Sequence, residues 1–209
     1  MDPIPQGLRE RKKLQTRKDL ARAALRLFEE QGYAETTVDD IAAEANVSRR
    51  TFFRYFKSKD EVFIIDPEGK LRAVHVTLAE GPEDEPTIDA LQRGSVALAE
   101  AYWDPELSVA IMRLIEREPQ VMAAGMAFQV RYADLLAHEI AVDMGVDERL
   151  DPRPRILAHA SILMMRSAVW VATESDQPML ECVQEAFDRG RPALEAILAM
   201  PVDEPREGG

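Results

Sequence analysis

An all-α fold is predicted for this chain of 209 residues by three observations. Apolar residues recur at helical spacing in successive segments. Proline and glycine fall where helices start and stop. No run of strand-like alternation bounded by hairpin turns interrupts them. The proportions of hydrophobic and charged residues, 46% and 31%, are those of a globular protein and argue against a disordered or fibrous chain. A single cysteine, Cys182, cannot close an intramolecular disulfide. The first thirteen residues lack the apolar core of a secretory signal, and the most apolar part, Ser161 to Thr173, is short and contains Arg166. A cytoplasmic protein with no membrane partner is expected.

The elements follow in order. From Gln15 to Gln31, Leu20, Ala24, Leu27 and Phe28 form one buried helical face, and Gly32 ends it. Thr37 with Asp40 three residues on reads as a capping box, followed by the apolar stripe Val38, Ile41, Ala42 and Ala45 of a short helix. Asn46 tolerates the left-handed turn, and Ser48 caps a third helix running to Phe56. Pro67, residues 81–86 and residues 145–154 read as loops. Asp104-Pro105, Asp151-Pro152 and Gln177-Pro178 each read as a helix start. Residues 122–144 and 156–173 are apolar at helical spacing, Gly190 and Pro192 predict a kink or break in the last helix, and residues 201–209 read as a disordered tail.

Charge divides the chain. Residues 1–60 hold 13 Lys and Arg against 10 Asp and Glu, whereas residues 61–209 hold 13 against 28. Arg9, Arg11, Lys12, Lys13, Arg17, Lys18, Arg22 and Arg26 face only Glu10 and Asp19, which reads as a polyanion-binding head with a basic N-terminal arm on an acidic body, or as a solvated helical face. Helix, tight turn, helix is the arrangement that lays a recognition helix in the major groove of double-stranded DNA. In the first turn of that helix, Arg49 and Arg50 have the donors to read guanine, and Thr51 can meet a thymine methyl or a phosphate. Ser48, Tyr55, Lys57 and Lys59 suit the flanking contacts, and Thr36 and Thr37 form a phosphate site at the start of the second helix. Phe52, Phe53 and Phe56 read as core, because a duplex shows them no base face.

The run GYAETTVDDIAAEANVSRRTFFRYFKSKDEVF resembles the DNA-binding domain of the tetracycline-repressor (TetR) family of bacterial transcription regulators over about Gln15 to Val62. It departs from the family pattern where Asn46 replaces a common glycine, Phe53 a common phosphate-binding tyrosine and Arg50 a small residue. The resemblance implies a DNA-binding domain at residues 1–60 and a helical ligand-binding and dimerisation domain at 61–200. The last two long helices would form a four-helix bundle with a second copy. It further implies a homodimer that acts as a repressor, binds an inverted-repeat operator and is released by a small effector.

Trp103, Met112, Met126, Phe128, Met165 and Trp170 are candidate pocket residues, with core packing as the alternative. Arg113, Arg117 and Arg166 favour an anionic effector, whereas Glu116, Glu118 and Glu139 favour a cationic one. The stretch from Asp151 to Arg155 resembles regulators that sense acyl-coenzyme-A-like ligands, and a lipophilic drug is the other class considered. No cofactor is implied. A helical interaction module without specific DNA binding, or a small helical enzyme, is the alternative from residues alone. For the enzyme, His75, His138 and His159 belong to no zinc pattern, Asp134 and His138 read as a simple side-chain pair, and Cys182 has no recognisable partner as a nucleophile.

Overall fold

The structure, a computed structural model, describes residues 7–79, 81–82 and 85–201, so the tail from residue 202 and the arm before residue 7 lie outside the described residues. Among those described, nine α-helices follow one another without a strand: α1 (Leu8–Gln31), α2 (Val38–Glu44), α3 (Arg49–Tyr55), α4 (Pro67–Ala79), α5 (Thr87–Tyr102), α6 (Pro105–Arg117), α7 (Pro119–Met144), α8 (Arg153–Glu174) and α9 (Met179–Leu198). A 3₁₀ turn, Lys59–Glu61, lies between α3 and α4.

The helices group into two compact units. The first joins Pro5–Glu68 to Asp104–Phe128, so α6 belongs with the helix-turn-helix although 35 residues of the other unit separate them in sequence. Its core is Leu20, Ala24, Phe28, Ile41, Phe52, Phe56 and Val62, all buried. Three buried or half-buried ion pairs knit it together: Arg17 with Asp66, and Lys18 and Arg22 each with Asp104. α1 begins seven residues before the expected Gln15, because the preceding Arg, Lys and Glu are good helix formers even without an apolar stripe. Gly32 ends α1 with φ +91°, a conformation that disfavours any side chain.

The second unit holds Gly69–Trp103 and residues from Gln129 onward. Its core gathers Ile88, Leu91, Ile140, Leu157, Val183, Phe187 and Leu194 from α5, α7, α8 and α9. α9 runs as one helix through Pro192, so the expected break is absent. Burial of Leu194 and the bonds from Arg191 to Asp89 (2.5 Å) and Gln92 (3.0 Å) hold the turn that proline weakens. Gly190 serves close approach instead: a Cβ there would overlap the end of Met164 on α8. Pro67, expected in a loop, opens α4, where its missing N–H costs nothing. Contrary to the sequence reading, α8 is long and apolar enough by length and composition to cross a membrane, alone among the described helices. Leu157, Ala158 and Ala168 bury one face of it in the unit's core.

Candidate nucleic-acid interface

The local chemistry of the α2–α3 corner fixes its shape. Thr37 Oγ1 accepts the backbone N–H of Asp40 (3.2 Å), while the Asp40 carboxylate accepts from the Thr37 N–H (2.8 Å) and hydroxyl (2.7 Å). These bonds hold the Asp40 carboxyl below its usual range. At the far end Asn46 adopts φ +53°, and Val47 N–H reaches back to the Ala42 carbonyl at 2.8 Å. Ser48 then caps α3 by accepting the Thr51 N–H at 3.0 Å, and its hydroxyl lies 2.9 Å from that of Thr51. Phe52 and Phe56 anchor α3 in the core, their ring centroids 5.7 Å apart.

What α3 leaves outward is an open cleft lined by Ser48, Arg50, Thr51, Phe53 and Arg54. Arg50 is exposed and makes no hydrogen bond or ion pair among the described residues. Arg49 donates to Asp39 at 2.6 Å and lies 5.3 Å from the centroid of the Phe53 ring. Phe53 corrects the expectation of three core phenylalanines: it is 45% exposed, because the face that buries residues 52 and 56 turns residue 53 outward. Tyr55, half-buried, has the guanidinium of Arg54 at 5.0 Å and that of Arg17 at 6.0 Å from its ring centroid. Lys57 is exposed.

Two of the expected phosphate contacts are committed inside the unit. The Thr36 side chain is buried, donates to the Gly32 carbonyl at 2.8 Å and accepts from Gln31 at 3.2 Å. Lys59 Nζ donates to the carbonyls of Tyr33 (2.7 Å), Ala34 (3.2 Å) and Thr36 (3.0 Å), which uses all three of its donors. The ammonium also sits 4.5 Å from the centroid of Tyr33, whose phenol donates to Asp60 and is pushed above its usual range by burial and by that carboxylate. Lys59 therefore ties the loop before α2 to the 3₁₀ turn. Thr37 is a cap first, with its hydroxyl shared with Asp40.

The basic face of α1 divides in the same way. Lys13 pairs with Glu68, Arg17 with Asp66, Lys18 and Arg22 with Asp104, and Arg26 with Glu44. Arg9, Arg11 and Lys12, exposed in the first turns of α1, make no ion pair among the described residues. Five of the eight cations counted along the sequence thus hold the unit together, and three face solvent.

The candidate effector residues are divided between the two units. Trp103 and Met165 pack against the core of the second unit, whereas Trp170 is 47% exposed on α8. Met112, Met126 and Phe128 belong to the first unit; Met112 and Phe128 are half-buried and Met126 is 59% exposed. Arg153 is clamped by Asp151 and donates to the Leu198 carbonyl (3.0 Å), so its hydrogen bonds hold the Asp151 carboxyl below the usual range. Arg155 donates to Asp134 at 2.7 Å, which corrects the expected Asp134–His138 pair; His138 lies 3.3 Å from Glu148 instead. Arg166 donates to Gln129 at 3.2 Å, and burial pushes the Cys182 thiol up.

A capped helix-turn-helix with an unpaired arginine in the first turn of its second helix defines a DNA-binding transcriptional regulator. Residues 20–64 match the family described as bacterial regulatory proteins, tetR family. The chain is 36% identical to the HTH-type transcriptional regulator TcmR of Streptomyces glaucescens, over 95% of this chain and 93% of TcmR. FadR of Thermus thermophilus, a TetR-family transcriptional repressor solved in complex with lauroyl-CoA, superposes with a TM-score of 0.51 at 26% identity over 92% of this chain and 99% of that one. GusR of Salmonella enterica shares the fold, with a TM-score of 0.53 at 20% identity over 89% of this chain and 96% of its own. The chain belongs to the TetR family, whose members are transcription regulators and not enzymes.

The pairing roles of Asp39, Asp66 and Asp104 were not legible in the sequence, where their basic partners Arg49, Arg17, Lys18 and Arg22 read as facing DNA or solvent. One signal was available for Arg17: it stands three residues after Leu14 and four before Ala21, on the buried stripe of α1.

Proposed function

We propose that the chain is a cytoplasmic, ligand-responsive repressor that binds an inverted-repeat operator as a homodimer through α3. The observation that carries this reading is Arg50, unpaired beside the open cleft at the capped start of α3. Arg50→Ala is expected to weaken the preferred operator by about 1–3 kcal/mol and to relax base choice at one position per half-site. Selection of duplexes from a random pool measures both, and an unchanged preference overturns the assignment. Arg9, Arg11 and Lys12 are the phosphate contacts of this reading. Replacing all three by alanine should lower the slope of log affinity against log salt by about 0.9 for each phosphate lost, with base preference intact. A wild-type slope in that variant removes them from the interface.

The homodimer is supported by α8, which exposes Ile156, Leu163 and Trp170 at seven-residue intervals, a stripe suited to a helix from a second copy. The effector class rests on the similarity to FadR, solved with lauroyl-CoA. A ligand releases DNA only by preferring the released conformation, and a typical coupling weakens operator binding by about 5–150-fold. Titration of the operator complex with long-chain acyl-coenzyme A, in parallel with lipophilic cationic dyes, decides between the classes. Release by the first alone supports the acyl reading, and release by neither overturns the amphipathic effector.

A further inference from the structure

Asp39 is the acidic group on the reading face that neither the cap nor the core employs. The cap of α2 is closed by Asp40. Asp39 instead projects toward α3, where its Oδ2 accepts from Arg49 Nη1 at 2.6 Å, with both side chains 61% exposed. An ion pair so exposed contributes little to folding. A carboxylate on a face that meets phosphates also opposes general attraction to DNA. Stability and affinity are therefore poor reasons for an aspartate at this position.

Its effect on Arg49 is more specific. A guanidinium presents five N–H donors in a rigid plane, and only Nη1 is engaged here. The Nε and Nη2 edge makes no hydrogen bond among the described residues and keeps the two parallel donors that match O6 and N7 of guanine. The Phe53 ring, 5.3 Å from the guanidinium carbon, bounds the same group from a second side. We infer that Asp39 is a positioning residue for base readout: with Phe53 it holds Arg49 for one guanine per half-site, at a position distinct from the one read by Arg50. This rests on the proposed DNA-reading role of α3.

The experiment is duplex selection with the full-length protein as wild type, Asp39→Ala, Asp39→Asn, Arg49→Ala, Arg50→Ala and the Asp39→Ala/Arg49→Ala double variant. Asp39→Ala and Asp39→Asn should each reduce guanine preference at least fivefold at the position that Arg49→Ala affects, while unrelated duplex is bound more tightly. Asp39→Ala should not change guanine preference further in the Arg49→Ala background, the non-additivity of groups that act together, while its gain in affinity for unrelated duplex persists there. An unchanged thermal midpoint shows that the effect does not come through folding. Preference that is intact in both Asp39 variants, or altered at a position other than that of Arg49, overturns the inference. An effect of Arg50→Ala on a different position leaves the parent reading standing in that case. A wild type that selects no sequence overturns both.

Discussion

Asp66→Ala is expected to lower the unfolding free energy by about 3–5 kcal/mol, because it strands a guanidinium in the interior. Arg17 and Asp66 are each about 5% exposed, joined by a short bond from Nη1 to Oδ1. The Nε of Arg17 is buried with no hydrogen-bond partner among the described residues, so the carboxylate is a principal compensation for a desolvated charge. Asp66 also adopts φ +47° immediately before Pro67, a conformation aspartate accepts better than alanine. Asp66→Gly removes the backbone part of the penalty and keeps the electrostatic part, so both variants should fall well below wild type with glycine the less affected. Urea denaturation followed by helical circular dichroism measures the change. A loss under about 1 kcal/mol in Asp66→Gly would show that the pair is no more than a surface ion pair in effect.

Lys59→Ala should cost about 2–4 kcal/mol of stability, less than the sum of three charge-assisted bonds because water can reach the part-exposed carbonyls. It should leave the salt dependence of operator binding unchanged wherever the variant is folded, the opposite of what a phosphate-binding lysine gives. Lys59→Arg should not rescue it, since a planar fork cannot converge on three carbonyls as an ammonium does. Denaturation and salt titration on the same preparations test the two halves. A slope that falls by about one per half-site with stability intact would return Lys59 to the interface.

These two residues mark where the sequence was readable and where it was not. Local signals held: the Thr37–Asp40 box, the left-handed Asn46 and the Ser48 cap all depend on neighbours within four residues. The destination of a long cation does not. Lys59 is 23–26 residues from its acceptors and Arg17 is 49 from Asp66, distances at which no spacing rule operates. Helical periodicity also marks an apolar face without saying what covers it. That is why Trp170 and Met126, read as pocket residues, stand at the surface. Phe53 shows the same limit on a smaller scale: residues 52, 53 and 56 fall within one apolar stripe by spacing, and spacing does not say that the stripe's edge at Phe53 is left uncovered.

The placement of α6 carries a consequence for how the protein is made. Asp104, which receives Lys18 and Arg22, lies 82 residues beyond Arg22, and residues to Phe128 belong to the same unit as α1–α3. During synthesis at ~5–20 residues per second, α1–α3 emerge roughly 4–15 s before the segment that completes their packing. The nascent head is meanwhile a partial assembly, with the lysine and arginine that Asp104 later neutralises still bare. Its cooperative unit also spans a large sequence separation, a topology that slows the final step of folding. A ribosome pausing in the Gly69–Trp103 stretch would prolong that exposed interval, so codon choice there becomes a lever on the yield of active protein without altering any residue that touches the operator.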